Sequence, residues 1–137
     1  MGIRRSPTCF FLSCKNILVH CEKTEKRRKM DSEKLVQVAM NVIMHAGDAR
    51  DYIRKAGTKL SALDLDGVEE LLKKASAELV EAHKAQTSVL QNEAEGDSVP
   101  MTVLFSHAQD TLMTVESEQY MISILYQCLK NMKKGEK

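Results

Sequence analysis

Within His107-Ala-Gln-Asp110-Thr-Leu-Met-Thr114, an imidazole, a carboxylate and a hydroxyl are spaced three and four residues apart. On a helix such residues are surface neighbours. His107, Asp110 and Thr114 then line one face, and Leu104, Ala108, Leu112 and Val115 form an apolar face on the other side. A histidine beside an aspartate can move protons. An imidazole with donors and a carboxylate nearby also suits covalent chemistry at nitrogen. Two further polar stripes accompany this one: His83, Gln86 and Thr87 within Ala82-His-Lys-Ala-Gln-Thr87, and His45-Ala-Gly-Asp48-Ala-Arg50. Taken singly, a helical histidine is more often structural or exposed than reactive.

Other chemistries lack their residues. No His-Glu-x-x-His pair is present to hold a hydrolytic zinc, and no Gly-x-x-x-x-Gly-Lys-Ser/Thr loop or Gly-x-Gly-x-x-Gly turn to cradle phosphates. No Gly-x-Ser-x-Gly elbow presents a serine nucleophile. What remains is a histidine acting as nucleophile in a helical site.

Three elements must position these residues. Leu35, Val38, Ala39, Val42, Ala46, Ala49, Ile53 and Ala56 follow helical spacing and predict a helix over 31–57, with Asp31 or Ser32 as cap and Gly57 at its end. Gly47 lies inside it, either for close backbone approach or as a tolerated surface glycine. Leu65, Val68, Leu72, Ala75, Leu79, Ala82 and Leu90 predict a second helix over 65–93, capped by Asp64. Residues 94–100 (Ala-Glu-Gly-Asp-Ser-Val-Pro) read as a loop. Leu112, Val115, Ile122, Leu125, Leu129 and Met132 predict a third helix over 101–134, whose Lys130, Lys133 and Lys134 favour its negative end. Three such helices with short links make an all-α, antiparallel bundle. At ~1.5 Å per residue they are about 40–50 Å long. So long a bundle with only three helices has a thin core and leaves apolar residues exposed, which favours a symmetric homo-oligomer.

The chain has 137 residues, 43% apolar and 4% aromatic, with 8 Met and no Trp, so the core is aliphatic. Its net charge of +1 hides an asymmetry. Residues 1–29 carry eight Lys/Arg and two Asp/Glu (+6), and residues 30–137 carry twelve against seventeen (−5). An acidic body does not offer the basic face a nucleic acid needs. The segment 1–29 is a poor signal peptide: Lys15 interrupts a short apolar run and no small-x-small site follows. It is far short of the ~20 apolar residues of a membrane span. Lys26-Arg27-Arg28-Lys29 before Met30 could be encoded by purine-rich codons resembling a bacterial ribosome-binding site. We expect a natural start at Met30, with 1–29 as read-through or a disordered basic leader and 30–137 as the domain. Cys9, Cys14 and Cys21 lie in that leader and Cys128 alone in the body, where it reads as a small core residue. No cysteine pair has metal or redox spacing, and a reducing, cytoplasmic setting fits.

Ala46-Gly-Asp-Ala-Arg50, Glu81-Ala-His-x-x-Gln-Thr87 and His107-Ala-Gln-Asp-x-Leu-Met-Thr114, in this order and separation, give the chain a family likeness over about 31–134. It resembles the IIA component of the bacterial phosphoenolpyruvate-dependent sugar phosphotransferase system, of the lactose/cellobiose (diacetylchitobiose) class. The resemblance implies a homotrimer of nine helices with the reactive histidine near a subunit interface. It implies that His107 accepts a phosphoryl group, on its tele nitrogen, from the phosphorylated histidine carrier protein. His107 then passes the group to a cysteine of the cognate IIB component, and the sugar is phosphorylated as it crosses the membrane through IIC. Asp110 would meet its symmetry mates on the threefold axis and bind Mg²⁺ or another divalent cation, and His83 would lie in or near the site. Gln109, Gln86, His83 and Thr87 are the candidate donors. A neutral imidazole, with an ordinary pKa of ~6.5, is available as nucleophile. A cation would offset three clustered carboxylates. The alternative is a regulatory or binding bundle that has lost phosphotransfer.

The chain departs from the family pattern twice. Thr111 stands where the family has a second histidine, and Glu116-Ser-Glu118-Gln is more polar than expected. The latter change is expected to alter trimer packing or a partner surface. Ala108 favours the cellobiose/chitobiose branch over the lactose branch, within β-linked disaccharides.

Overall fold

A computed structural model describes residues 30–135, as three helices: α1 (Ser32–Ser61), α2 (Leu65–Ala94) and α3 (Val103–Gly135). The readings placed on residues 1–29 lie outside the described residues. Asp31 caps α1, its carboxylate accepting from the Glu33 N–H at 3.2 Å. Asp64 caps α2 through the Gly67 N–H at 3.1 Å. Thr102 Oγ1 accepts from the Phe105 N–H at 3.2 Å, so α3 starts at Val103 and not at Met101. Each cap satisfies an amide that the first helical turn leaves unpaired.

The first helix passes through Gly57 and ends four residues later. The stop is made by hydrogen bonds: the Asp64 N–H donates to the Lys59 carbonyl at 3.1 Å and the Leu63 N–H to the Leu60 carbonyl at 3.0 Å. Leu63 takes the left-handed conformation that closes such a turn, with φ 58. The second helix ends the same way on the expected residue type: Gly96 has φ 98, and the Asp97 N–H donates to the Asn92 carbonyl at 3.0 Å. Gly57 misleads as a stop signal because a glycine only permits the left-handed turn. The burial of Ala56 just before it and Leu60 just after it keeps the helix going.

The first helix packs against both others, and α2 and α3 touch least. The core is one aliphatic spine, including Leu35, Ala39, Val42, Ala46, Leu79, Ala82, Ala108, Leu112 and Val115. A smaller cluster of Ala56, Leu60, Val68, Leu72 and Tyr126 closes the far end, and Ile122 packs against both. Met30 is buried on the spine and its N–H donates to the Ser98 carbonyl at 3.0 Å, tying the α2–α3 loop to the start of α1.

Four expectations for the core are corrected. Leu90 is exposed and its neighbour Val89 is buried instead. Leu125, Met132 and Cys128 of α3 are exposed, and Tyr126 takes the buried position. One register step moves a helical side chain by ~100°, so the stripe in the second half of α3 runs through Ile122, Tyr126 and Leu129. Gly47 is exposed with nothing within 4 Å of an added Cβ, which makes it the surface glycine of the two readings within one protomer.

Candidate functional site

His107 sits on the second turn of α3, exposed, with Asp110 and Thr114 exposed below it. The Thr111 hydroxyl donates to the His107 carbonyl and the Thr114 hydroxyl to the Asp110 carbonyl, both at 2.8 Å. Hydroxyls that turn back on their own helix occupy their proton there. Thr111 is thus tied to the backbone of His107.

The three histidines of the described residues differ in what holds their rings. His45 Nδ1 donates to Glu78 Oε2 at 2.7 Å, between α1 and α2. His83 Nε2 lies 3.6 Å from Glu116 Oε2, between α2 and α3. His107 enters no ion pair or side-chain hydrogen bond among the described residues. Of the three, His107 is the exposed ring with no carboxylate partner among the described residues.

Helical arithmetic places the supporting residues. Glu118 is eleven residues past His107, about 20° away around the helix. It meets the Arg50 guanidinium of α1, Nε to Oε2, at 3.1 Å. Glu116 is nine residues past His107, about 180° away, and faces His83 of α2. His83 and His107 therefore lie on opposite flanks of α3. Gln109, seven residues before Glu116, shares the His83 flank. Gln86 is half-buried, one turn from Ala82 and from Val89, at the edge of the core. An open depression of about 440 Å³ runs along this flank, lined by Val80, His83, Lys84, Thr87, Ser88 and Gln91. One protomer thus holds two half-sites: His107 with Asp110, Thr111 and Thr114 on one flank, and His83, Thr87 and Gln109 on the other.

The polar run Glu116-Ser-Glu118-Gln works inside the protomer. Glu116 reaches His83, Glu118 reaches Arg50, and the Gln119 amide donates to Ser76 Oγ at 2.6 Å. These links tie α3 to both other helices, and two of the three cross the sparsely packed α2–α3 seam. Sequence reasoning missed them because Glu78, Ser76 and Arg50 gain meaning only through cross-helix register. The spacings 107/118 and 107/116 were the available signal.

Asp110 lies two residues from both Ala108 and Leu112, hence about 200° from the core face. Among the described residues no group of three or more His, Cys, Asp or Glu side chains could hold a metal ion. One chain supplies a single carboxylate at Asp110. The outer face that it begins continues as exposed Met113, Tyr120, Met121, Ile124, Leu125 and Met132. No described helix is long and apolar enough to cross a membrane.

Comparison with known proteins places these features. The family described as "PTS system, Lactose/Cellobiose specific IIA subunit" matches residues 37–130, which contain all three polar stripes. A lactose-specific EIIA component of Streptococcus mutans is 40% identical over 85 residues, covering 62% of this chain and 82% of that protein. A lichenan-specific phosphotransferase enzyme IIA component of Bacillus subtilis is 37% identical over 82 residues, covering 60% and 74%. The crystal structure of PtcA from S. mutans superposes with TM-score 0.72 at 31% identity, covering 74% of this chain and 99% of that one. The cellobiose-specific enzyme IIA of Bacillus anthracis superposes with TM-score 0.69 at 27% identity, covering 77% and 94%. With the fold, the order of the stripes and the family match in agreement, the chain belongs to the lactose/cellobiose-specific IIA subunits of the sugar phosphotransferase system.

Proposed function

We propose that this chain is a phosphocarrier in the uptake of a β-linked disaccharide, with His107 as the residue that carries the phosphoryl group. The observation that carries this reading is the uncommitted His107 ring: His45 and His83 are each paired to a glutamate, and His107 is exposed and unpaired. Its neutral nitrogen attacks the phosphorus of the phosphorylated histidine carrier protein. A new N–P bond forms as the donor's N–P bond breaks, and the donor imidazole leaves. In the second step a cysteine thiolate of the cognate IIB component attacks the same phosphorus, and the His107 imidazole is the leaving group. Such transfers rest on positioning and on stabilising charge on the phosphoryl oxygens. Sugar phosphorylation at the IIC component then completes the sequence on the cytoplasmic side.

The two half-sites support a homotrimer. Packing α3 of three copies by its exposed face around a threefold axis covers Met121, Ile124 and Leu125. It would bring the His83, Thr87 and Gln109 flank of one copy toward His107 of the next, where these side chains can donate to phosphoryl oxygens. Three Asp110 carboxylates then converge, and Mg²⁺ or a similar divalent cation held by them would neutralise the local charge.

Incubation with phosphoenolpyruvate, enzyme I and the histidine carrier tests the reading. The expected product is an acid-labile, base-stable adduct that His107→Ala abolishes. Labelling that persists in His107→Ala moves the site, to His83 first. A folded wild-type chain that takes no label is a binding bundle instead.

A further inference from the structure

We propose that the end of the bundle remote from His107 is a docking surface for an anionic lipid membrane. Lys130 lies 23 residues beyond His107 on the same helix, roughly 35 Å along the axis. Two adjoining cavities open at this end. One, of about 480 Å³, is lined by the α1–α2 turn (Leu63, Asp64, Leu65, Asp66) and by Tyr126, Lys130, Lys133 and Lys134 of α3. The other, of about 270 Å³, is lined by Leu63, Leu65, Leu129, Met132 and Lys133. Together they form a trough whose smaller part is mainly apolar and whose larger part mixes leucine and tyrosine with lysine and aspartate.

Leu63 is the residue that singles this end out. It lines both cavities, is 61% exposed and holds φ 58. A leucine in that conformation is strained, and a glycine would close the turn without strain. Exposure leaves the side chain no packing role that would offset the strain inside the protomer. Met132, 66% exposed, stands beside it. Strain retained at an exposed apolar residue points to a use outside the fold.

Charge selects the partner. Lys133 and Lys134 enter no ion pair among the described residues. Asp64 is neutralised by Lys59 at 2.8 Å and Glu69 by Lys130 at 3.1 Å, which leaves Asp66 as the opposing carboxylate in the lining. The domain as a whole is acidic, −5 over residues 30–137, and Lys133 and Lys134 set this end apart as a place where cationic side chains stand without an ion-pair partner among the described residues. An exposed leucine and methionine amid lysines is the composition that sits at a headgroup boundary. A threefold axis along the helices would put three such ends on one side, which multiplies weak contacts, and leaves His107 facing away from the bilayer. The surface does not depend on phosphotransfer: His107→Ala should bind vesicles like the wild type.

Sedimentation of the full chain with phosphatidylcholine vesicles, with and without phosphatidylglycerol, tests the proposal. We expect retention on the anionic vesicles alone, lost at high salt, and weakened about tenfold or more by Lys133→Gln with Lys134→Gln. Residues 1–29 carry +6 of their own, so the deciding comparison is between the full chain and these variants. Leu63→Gly supplies an independent arm: it should fold more stably yet bind vesicles more weakly, which a purely structural leucine would not do. Equal binding to neutral vesicles, no binding at all, or full retention in the double lysine variant overturns the proposal. Absence of vesicle binding would assign the trough to a protein partner.

Discussion

At the scale of single residues, what distinguishes His107 is its lack of partners. His45 and His83 also sit in polar stripes of their helices, but cross-helix glutamates at 2.7 and 3.6 Å hold them as links between helices. His83→Ala should therefore weaken the α2–α3 contact and reduce the rate of phosphoryl transfer, with the label still on His107; loss of the label itself would give His83 the nucleophile's role. Thr111 stands one helical turn beyond His107. Its hydroxyl is satisfied by the His107 carbonyl at 2.8 Å, so it offers no proton to a phosphoryl group. Thr111→Val should leave the extent of labelling unchanged and shift stability by no more than ~0.5 kcal/mol, since such back-bonding is close to neutral in a helix. Quantitative labelling and thermal unfolding of the variant check both halves.

At the scale of elements, the ends of α1 and α2 make a controlled comparison. Both close through the same hydrogen-bond pattern, one on Leu63 and one on Gly96. Leu63→Gly removes the left-handed strain at the cost of a more flexible unfolded chain, with a net gain of about 1 kcal/mol expected from chemical denaturation. Gly47→Ala, at a position with open space, should gain roughly 0.5–1 kcal/mol as helix propensity improves. At the far end of α2 and α3, Glu69 accepts from the Tyr126 hydroxyl at 2.6 Å and from Lys130 Nζ at 3.1 Å. The Tyr126 hydrogen bond first, then those of Lys130 and Lys73, hold the Glu69 carboxyl down to about 2 from its ordinary 4.5. A carboxylate with a depressed folded pKa stabilises the fold above its unfolded pKa and loses that contribution as pH falls through the folded one. The Glu69 contribution is thus complete above about pH 4.5 and disappears toward pH 2. An acid titration should show Glu69→Gln and wild type converging in stability over that window; curves that stay parallel would remove Glu69 from the account.

At the scale of the whole molecule, the protomer exposes an outer α3 face of Met113, Tyr120, Met121, Ile124 and Leu125, which supports the proposed trimer. Light scattering is expected to give the mass of a trimer. Met121→Glu, on the exposed face and away from the spine, should shift it toward monomer and slow phosphoryl transfer without unfolding the chain. Asp110→Leu should keep the trimer and remove any dependence of its stability on added Mg²⁺. A well-folded wild type that stays monomeric at micromolar concentration would contradict the interface. Leu112, fully buried where all three helices meet, gives the stability counterpart: Leu112→Ala is expected to cost about 2–5 kcal/mol.

The class of fold, the three helices, most of the buried stripe and the histidine to examine were legible in the chain alone. Helical periodicity is local, and Leu35, Val42, Val68, Leu79, Ala108 and Leu112 announce their burial within a few residues of chain. Sequence reasoning was misled at Leu90, Leu125 and Cys128, where one register step decides between core and surface, and at Gly57, where a glycine permits a stop that packing overrides. Which polar residues face each other was set by the packing of the three helices. The pairs His45–Glu78, Arg50–Glu118 and His83–Glu116 join residues 33 to 68 positions apart. Side-chain contact across helices depends on register and rotation, which packing sets and no local spacing encodes. That rotation separated His83 and Gln109 from His107 within one protomer, although sequence had grouped all three.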